Sequence, residues 1–182
     1  MQNSKLQFKM QKVISPLLII VIAVVLRLLP HLPNVAPIAA MALFGGVYLN
    51  KRYALIVPLV ALFLSDIFLG FYPEMIFVYG SFLVTGLMGL WLRDHKSFRN
   101  VLLTSIGSSV LFFLVTNFGV WLTGIMYDKS LSGLFESYLM GLPFFRNSLL
   151  GDLGYVGLFF GGYEFFLQFI LNRKSQMSKL HL

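Results

Sequence analysis

Apolar residues in this chain form long runs that short polar connections separate. A helix crosses the roughly 30 Å hydrocarbon core of a membrane with about 20 mostly apolar residues. The runs and their charged or proline boundaries predict six spans, at about 13–29, 36–49, 53–71, 75–92, 101–124 and 150–171. We therefore predict an all-α integral membrane protein whose six transmembrane helices form one bundle, a single domain over residues 1–182.

Between the fifth and sixth predicted spans, residues 127–142 show an amphipathic helical pattern. Apolar side chains recur there every three or four residues, at Leu131, Leu134, Phe135, Tyr138 and Leu139. We predict a short interfacial helix on the outer membrane surface. Pro143 then lies near the start of the last span, and Pro58 either kinks the third span or lies in its first turn.

The composition excludes several classes of protein. Hydrophobic residues make up 58% of the chain and charged residues 12%, about half the charge of a soluble domain. The chain has no Cys, which excludes disulfides, thiolate metal sites and a cysteine nucleophile, and its 3 His are widely separated. No P-loop, GxSxG or HExxH motif occurs. We predict no metal site, no cofactor and no enzymatic activity.

The charge of the chain has a topological explanation. The formal net charge is +7, with 14 Lys and Arg, and six spans would place 11 of these on the side of the two termini. The positive-inside rule then makes both termini cytoplasmic, in a bacterial inner membrane. The topological explanation of the basic residues does not require a nucleic-acid partner. A basic RNA-binding tail is the alternative. The basic N-terminus also resembles a signal peptide, but Arg27 and prolines follow the apolar run, so we expect a retained first helix.

Polar side chains from distant spans fall in the predicted outer half of the bundle. At 1.5 Å per residue, Asp66 lies roughly 20 Å and Asn117 roughly 24 Å from the cytoplasmic ends of their spans. Polar groups inside membrane helices are costly and often functional. Their convergence predicts a small-molecule pocket that opens outward. The predicted substrate-binding residues are Arg27, His31, Asn34, Asp66, Asn117, Trp121, Arg146, Asn147 and Asp152, and the aromatic wall candidates are Phe112, Phe113, Phe118, Tyr155 and Phe159.

Structural roles are alternatives for these polar residues. Arg27 can reach the interface by snorkelling, Asp66 can form an ion pair with Arg146, and Asp152 can cap the last helix. Asn117 can bond a neighbouring helix, Trp121 can belong to an interfacial belt, and His31 can be a loop residue.

Small residues spaced four apart also predict close helix contacts. The pairs are Ala36 and Ala40, Ala42 and Gly46 on the second span, and Gly157 and Gly161 on the sixth. We expect them to pack within the bundle, with a dimer interface as the alternative.

Five segments resemble a family of small bacterial six-span membrane proteins. They are Arg27–Asn34 (RLLPHLPN), Ala36–Gly46 (APIAAMALFGG), Leu64–Asp66 (LSD), Thr116–Trp121 (TNFGVW) and Pro143–Asp152 (PFFRNSLLGD). That family is similar to the S components, or substrate-binding subunits, of energy-coupling-factor vitamin transporters, and most to the solitary vitamin B12 type.

The resemblance implies cytoplasmic termini and a vitamin-like ligand bound from outside. S components that dock on an energising subunit carry Ala-x-x-x-Ala on the first helix, whereas the first span here has only Ala23, which argues against such a partner. The B12 type uses a cysteine to ligate cobalt. This chain has no Cys, and His31 is the candidate substitute for that ligand. The expected function is uptake of a vitamin-like molecule; the alternatives are a membrane enzyme acting on lipid, with Asp66 and Asp152 as acid and base, and a structural membrane subunit.

Overall fold

The computed structural model describes residues 16–30 and 34–180, with side chains up to residue 173. The described residues form six helices and no strand, which confirms the all-α prediction. The helices are α1 (Pro16–Leu28), α2 (Ile38–Tyr48), α3 (Ile56–Leu69), α4 (Met75–Asp94), α5 (Phe98–Thr123) and α6 (Leu131–Leu180).

Three of these helices can cross a membrane by length and composition. They are α4, α5 and the part of α6 up to Arg173. The described part of α1, and α2 and α3, are apolar but shorter. The 11 residues of α2 extend only about 17 Å at 1.5 Å per residue, well under the roughly 30 Å of hydrocarbon. The predicted second span is thus a short helix inside the bundle.

Helix α2 forms the centre of the fold. Every residue from Ile38 to Val47 is buried, and the helix packs mainly against α4 and α6. Its sequence explains this position, because a helix that is apolar on all sides is stable only when other elements surround it. Phe44 contributes most to the packing, with its ring 5.3 Å from the ring of Tyr163 and 5.6 Å from that of Phe160.

The small residues on α2 allow its backbone to approach α4 closely. A Cβ atom added to Gly46 would lie 2.6 Å from backbone atoms of Gly89, so neither position has room for a side chain. This confirms the predicted close contact on α2. For Gly157 and Gly161 on α6, the expectation of packing within the bundle is wrong, because an added Cβ would meet no atom of the described chain within 4 Å, and the alternative of a dimer interface stays a prediction. Both of these glycines are exposed.

Helix α6 corrects the prediction of a separate interfacial helix. Residues 131–142 are helical, as expected, but they continue without a break into the last predicted span, with Pro143 inside the helix. The Tyr138 hydroxyl donates to the carbonyl of Leu114 on α5 at 2.9 Å, and the Phe145 ring lies 4.9 Å from that of Phe113. Both parts of α6 pack on the same neighbour, which favours one continuous helix over two.

Side chains and prolines at the helix ends stabilise this arrangement. Arg93 donates to the carbonyls of Gly46 and Leu49 at 2.5 Å each, and so satisfies carbonyls that the end of α2 leaves without helical partners. The Ser97 hydroxyl accepts from the backbone N–H of Asn100 at 3.1 Å and caps α5. Pro58 lies in the first turn of α3, one of the two predicted positions, where proline is well tolerated.

Candidate functional site

A cavity of about 530 Å³ lies at the end of the bundle where α1 and α3 end and α4 begins. Its polar lining consists of Arg27, Asn34 and Tyr72. The rest of its wall is apolar and includes Phe82 and Phe112, whose rings stack at 5.2 Å. The volume is within the range of about 300–1,000 Å³ that small-molecule sites occupy.

A narrower chamber of about 70 Å³ adjoins this cavity. The two spaces share Asn34, Phe82 and Phe112 as lining residues, and the chamber also contacts Ser148 and Asp152 on α6. We call the two spaces together the α1–α6 cavity. It is lined by side chains from all six helices, and thus by segments far apart in sequence.

Arg27 lies on the buried face of α1. This face carries Ile20, Ala23 and Arg27, at helical spacing, and Arg27 is only 8% exposed. Its guanidinium donates to the Leu62 carbonyl at 3.2 Å and to the Ser65 hydroxyl. The snorkelling alternative is therefore wrong, because the side chain points into the bundle.

Asp66 is the acidic partner of Arg27. Its Oδ1 accepts from Arg27 Nη2 at 2.5 Å, and its Oδ2 accepts from the Tyr79 hydroxyl at 2.6 Å. Asp66 is fully buried and does not line the cavity; it lies behind Arg27. The predicted pairing of Asp66 with Arg146 is wrong, since Arg146 is exposed on α6 and the partner comes from α1.

Tyr72, in the connection between α3 and α4, adds a hydroxyl to the cavity wall. Burial, and then the nearby negative charge of Asp66, raise the pKa of this phenol to about 12. The hydroxyl is therefore protonated at neutral pH and can donate a hydrogen bond to a ligand.

Asp152 lies at the far side of the α1–α6 cavity. It is 6% exposed, and its Oδ2 accepts from the Ser109 hydroxyl on α5 at 2.6 Å. It lies more than five turns inside α6 and caps no helix. Among the described residues, no group of three or more His, Asp or Glu side chains could hold a metal ion.

The remaining predicted site residues lie elsewhere. Asn117 donates to the Phe113 carbonyl at 2.8 Å and lies against Gly141 of α6, while the Trp121 indole donates at 3.1 Å to the carbonyls of Asp128 and Ser130. Asn147 lines a separate groove of about 420 Å³ on α6. His31 falls outside the described residues. The structure thus brings Arg27 and Asp66 into contact and places Arg27, Asn34 and Asp152 around one cavity.

Of the five predicted aromatic wall residues, Phe112 lines the α1–α6 cavity and the other four lie elsewhere. Phe113 packs on Tyr138, Phe118 packs on Trp121, and Phe159 is buried near Phe44. Tyr155 lines the groove that contains Asn147.

A second polar cluster lies at the opposite end of the bundle. Glu164 of α6 accepts from the Tyr48 hydroxyl at 2.5 Å and forms an ion pair with Lys96. Lys96 lies between α4 and α5, next to Arg93 and Arg99. The cavity and this cluster therefore mark the two ends of the molecule.

A family model described as "Family of unknown function (DUF6580)" matches residues 7–176. The chain belongs to this family. No curated protein and no solved structure matches the sequence.

The cavity of this DUF6580 protein includes residues that the sequence prediction missed. Tyr72 and Phe82, which line it, were not among the predicted site residues, and neither was Ser109, which donates to Asp152. A signal for Ser109 exists, because Ser105, Ser108 and Ser109 recur at helical spacing within an apolar run and so mark one polar face of α5. No sequence feature distinguishes Phe82, because any of the 19 Phe could line the wall of a cavity.

Proposed function

We propose that this DUF6580 protein binds a vitamin-like small molecule within a membrane and mediates its uptake. The observation that carries the proposal is the α1–α6 cavity, whose main part is an apolar, aromatic space of about 530 Å³ lined by a few polar side chains from distant segments. Such a lining gives a ligand apolar contact area and fixes its orientation through a small number of hydrogen bonds.

The direction of uptake follows from the charge distribution. In the proposed topology, all six helices lie in the bacterial inner membrane, with the short ones enclosed by the long ones, and both termini are cytoplasmic. The cavity lies at the end opposite Arg93, Lys96 and Glu164, so it faces outward. Ligand enters from the outer face, in agreement with the resemblance to S components.

Arg27 is the proposed anchor for ligand oxygens. Asp66, which Tyr79 holds by a hydrogen bond, fixes the guanidinium in place from behind, so Arg27 can donate to a carboxylate, phosphate or amide oxygen with little loss of side-chain entropy. Arg146 and Trp121, which the sequence suggested for binding and stacking, do not line the cavity, and Phe82 and Phe112 provide the stacking surface instead.

The energy source for ligand uptake depends on whether the protein has partner subunits. A protein that acts alone moves its ligand by facilitated transport through rocking of the bundle, whereas an energising subunit would supply ATP hydrolysis. The single Ala23 on the first helix argues against docking on such a subunit.

Mass spectrometry of gently purified protein tests the proposal. We expect a vitamin-like ligand in stoichiometric amount from the unmodified chain, and at least a tenfold loss of it from Ala36→Phe, which places a ring where the main cavity and the chamber meet. Val60→Phe, on the exposed face of α3, is the matched control and should retain the ligand. A chemically altered lipid in the sample would favour the enzyme alternative. Absence of any ligand, with equal cellular uptake in both variants, would show that the proposal is wrong.

A further inference from the structure

Asp152 differs from Asp66 and Glu164, the two carboxylates that form ion pairs among the described residues. Asp66 is paired with Arg27, and Glu164 is paired with Lys96. Asp152 is 6% exposed and accepts a hydrogen bond from the neutral Ser109 hydroxyl. Within residues 16–30 and 34–173, no Lys, Arg or His lies within ion-pair distance of it.

A buried carboxylate without a cation is costly, because removal from water destabilises its charge and a single hydroxyl only partly compensates for that loss. Asp152 also borders open space. The chamber of about 70 Å³ in front of it exceeds the ~30 Å³ that one water molecule occupies in the liquid. An ammonium group or another cationic nitrogen therefore has room beside the carboxyl group.

The surroundings of the chamber favour a positively charged ring or a ring that carries an amine. The stacked rings of Phe82 and Phe112 line both the chamber and the main cavity. Aromatic faces attract cations and provide flat apolar area for a ring. Arg27 is the other charged side chain that lines the cavity, and its charge is balanced by Asp66, so it does not balance the charge of Asp152.

We infer that Asp152 recognises a cationic nitrogen, and that the ligand of this protein is a small organic cation with a ring between Phe82 and Arg27. This inference rests on the proposed binding function and specifies the class of ligand. Asn34 and Ser148, which also line the chamber, contribute polar contacts around the nitrogen. The apolar wall holds the ring.

Matched probes that differ only in charge test the inference. Phenethylamine, 2-phenylethanol and phenylacetate form one series, and tryptamine, tryptophol and indole-3-acetate form a second with a larger ring. Calorimetric titration of the purified full chain in detergent at pH 7, corrected with protein-free micelles, gives the affinity of each probe. We expect the amine of at least one series to bind at least tenfold more tightly than its alcohol.

Asp152→Asn keeps an acceptor for Ser109 and removes the charge. We expect the preference for the amine to disappear in this variant while the affinity for the alcohol stays within about twofold. Asp94→Asn makes the same change at an exposed position near the end of α4, outside the cavity, and should retain the preference.

The outcomes separate the inference from the proposed function. Equal affinity for amine and alcohol in the unmodified chain, tighter binding of the anion, or a preference that survives in Asp152→Asn would overturn the inference and leave the cavity as a binding site. Failure of all six probes to bind would also overturn the inference, while a stoichiometric ligand found by mass spectrometry in the purified protein would leave the proposed function standing.

A second measurement applies if Asp152→Asn does not fold. Dicyclohexylcarbodiimide, an apolar reagent for buried carboxyl groups, is added to the unmodified chain, and modification of Asp152 is followed by peptide mass spectrometry. Phenethylamine should slow this modification at least fivefold more than 2-phenylethanol does. Equal protection by both would overturn the inference.

Discussion

Arg27 and Asp66 show how one residue constrains another inside this bundle. Arg27 is 8% exposed and Asp66 is fully buried, and their contact joins α1 to α3. Neither charge is stable there alone, because the surrounding helices exclude most water. Tyr79 adds a bond from α4 to the same carboxylate, so three helices meet at one side chain.

Asp66→Asn should lower the free energy of unfolding by about 3–5 kcal/mol, because it leaves the Arg27 charge buried without its partner. Thermal unfolding in detergent, followed by circular dichroism, measures the change. Glu164→Gln is the matched control, since it breaks an ion pair whose side chains are 38% and 39% exposed. Its cost should be about 1 kcal/mol or less. Equal losses in the two variants would contradict the structural role assigned to Asp66.

The sequence predicted how far along the bundle axis these residues lie but not which side chains they contact. Counting 1.5 Å per residue from the helix ends places Arg27 and Asp66 in the same half, and the structure brings them into contact. Counting residues along each helix does not show the order in which the helices are arranged around the bundle. For this reason Arg146 was an equally reasonable partner for Asp66, and Asn117 and Trp121 were correctly placed toward one end of α5 yet face α6 and the loop that precedes it.

At the level of elements, α2 and α4 cross at a point where only glycine fits. The Cβ of Gly46→Ala would come within 2.6 Å of the Gly89 backbone, so the two helices would have to separate. We expect a loss of about 1–3 kcal/mol in unfolding free energy, the usual cost of an overpacked contact. Gly80→Ala, on the same α4 but with no atom within 4 Å of the added carbon, should cost nothing or stabilise the helix.

Thermal unfolding of both glycine variants in the same detergent checks this expectation. A Gly46→Ala protein as stable as the unmodified chain would mean that α2 and α4 do not approach so closely. The sequence identified the small residues on α2 because their spacing of four is a simple pattern. The same pattern on α6 led to a wrong expectation, since spacing alone does not show which side of a helix has a neighbour.

Helix α6 illustrates a different limit of sequence patterns. The amphipathic period of residues 131–142 correctly predicted a helix, and Pro143 suggested that it ended there. Proline inside a membrane helix is tolerated where neighbouring groups satisfy the freed carbonyl. Because α5 lies beside α6 on both sides of Pro143, the helix continues through it.

At the level of the whole molecule, the proposed topology makes a direct prediction. The chain has no Cys, so a single introduced cysteine can be labelled without background. Asp128→Cys, in the exposed connection between α5 and α6, should react with an impermeant maleimide in intact cells. Arg99→Cys, near the start of α5, should react only after the membrane is permeabilised. The reverse labelling pattern would show that the protein has the opposite orientation in the membrane, with the cavity on the cytoplasmic side.

The central position of α2 has a consequence for the order of events during biosynthesis. The helix is synthesised second, but its main partners, α4 and α6, are synthesised later. Until they emerge, a segment of 11 apolar residues that is too short to cross the bilayer has nothing to enclose it. The native core therefore cannot close before the last helix is made, and we expect chains truncated ahead of α6 to be unstable and rapidly degraded.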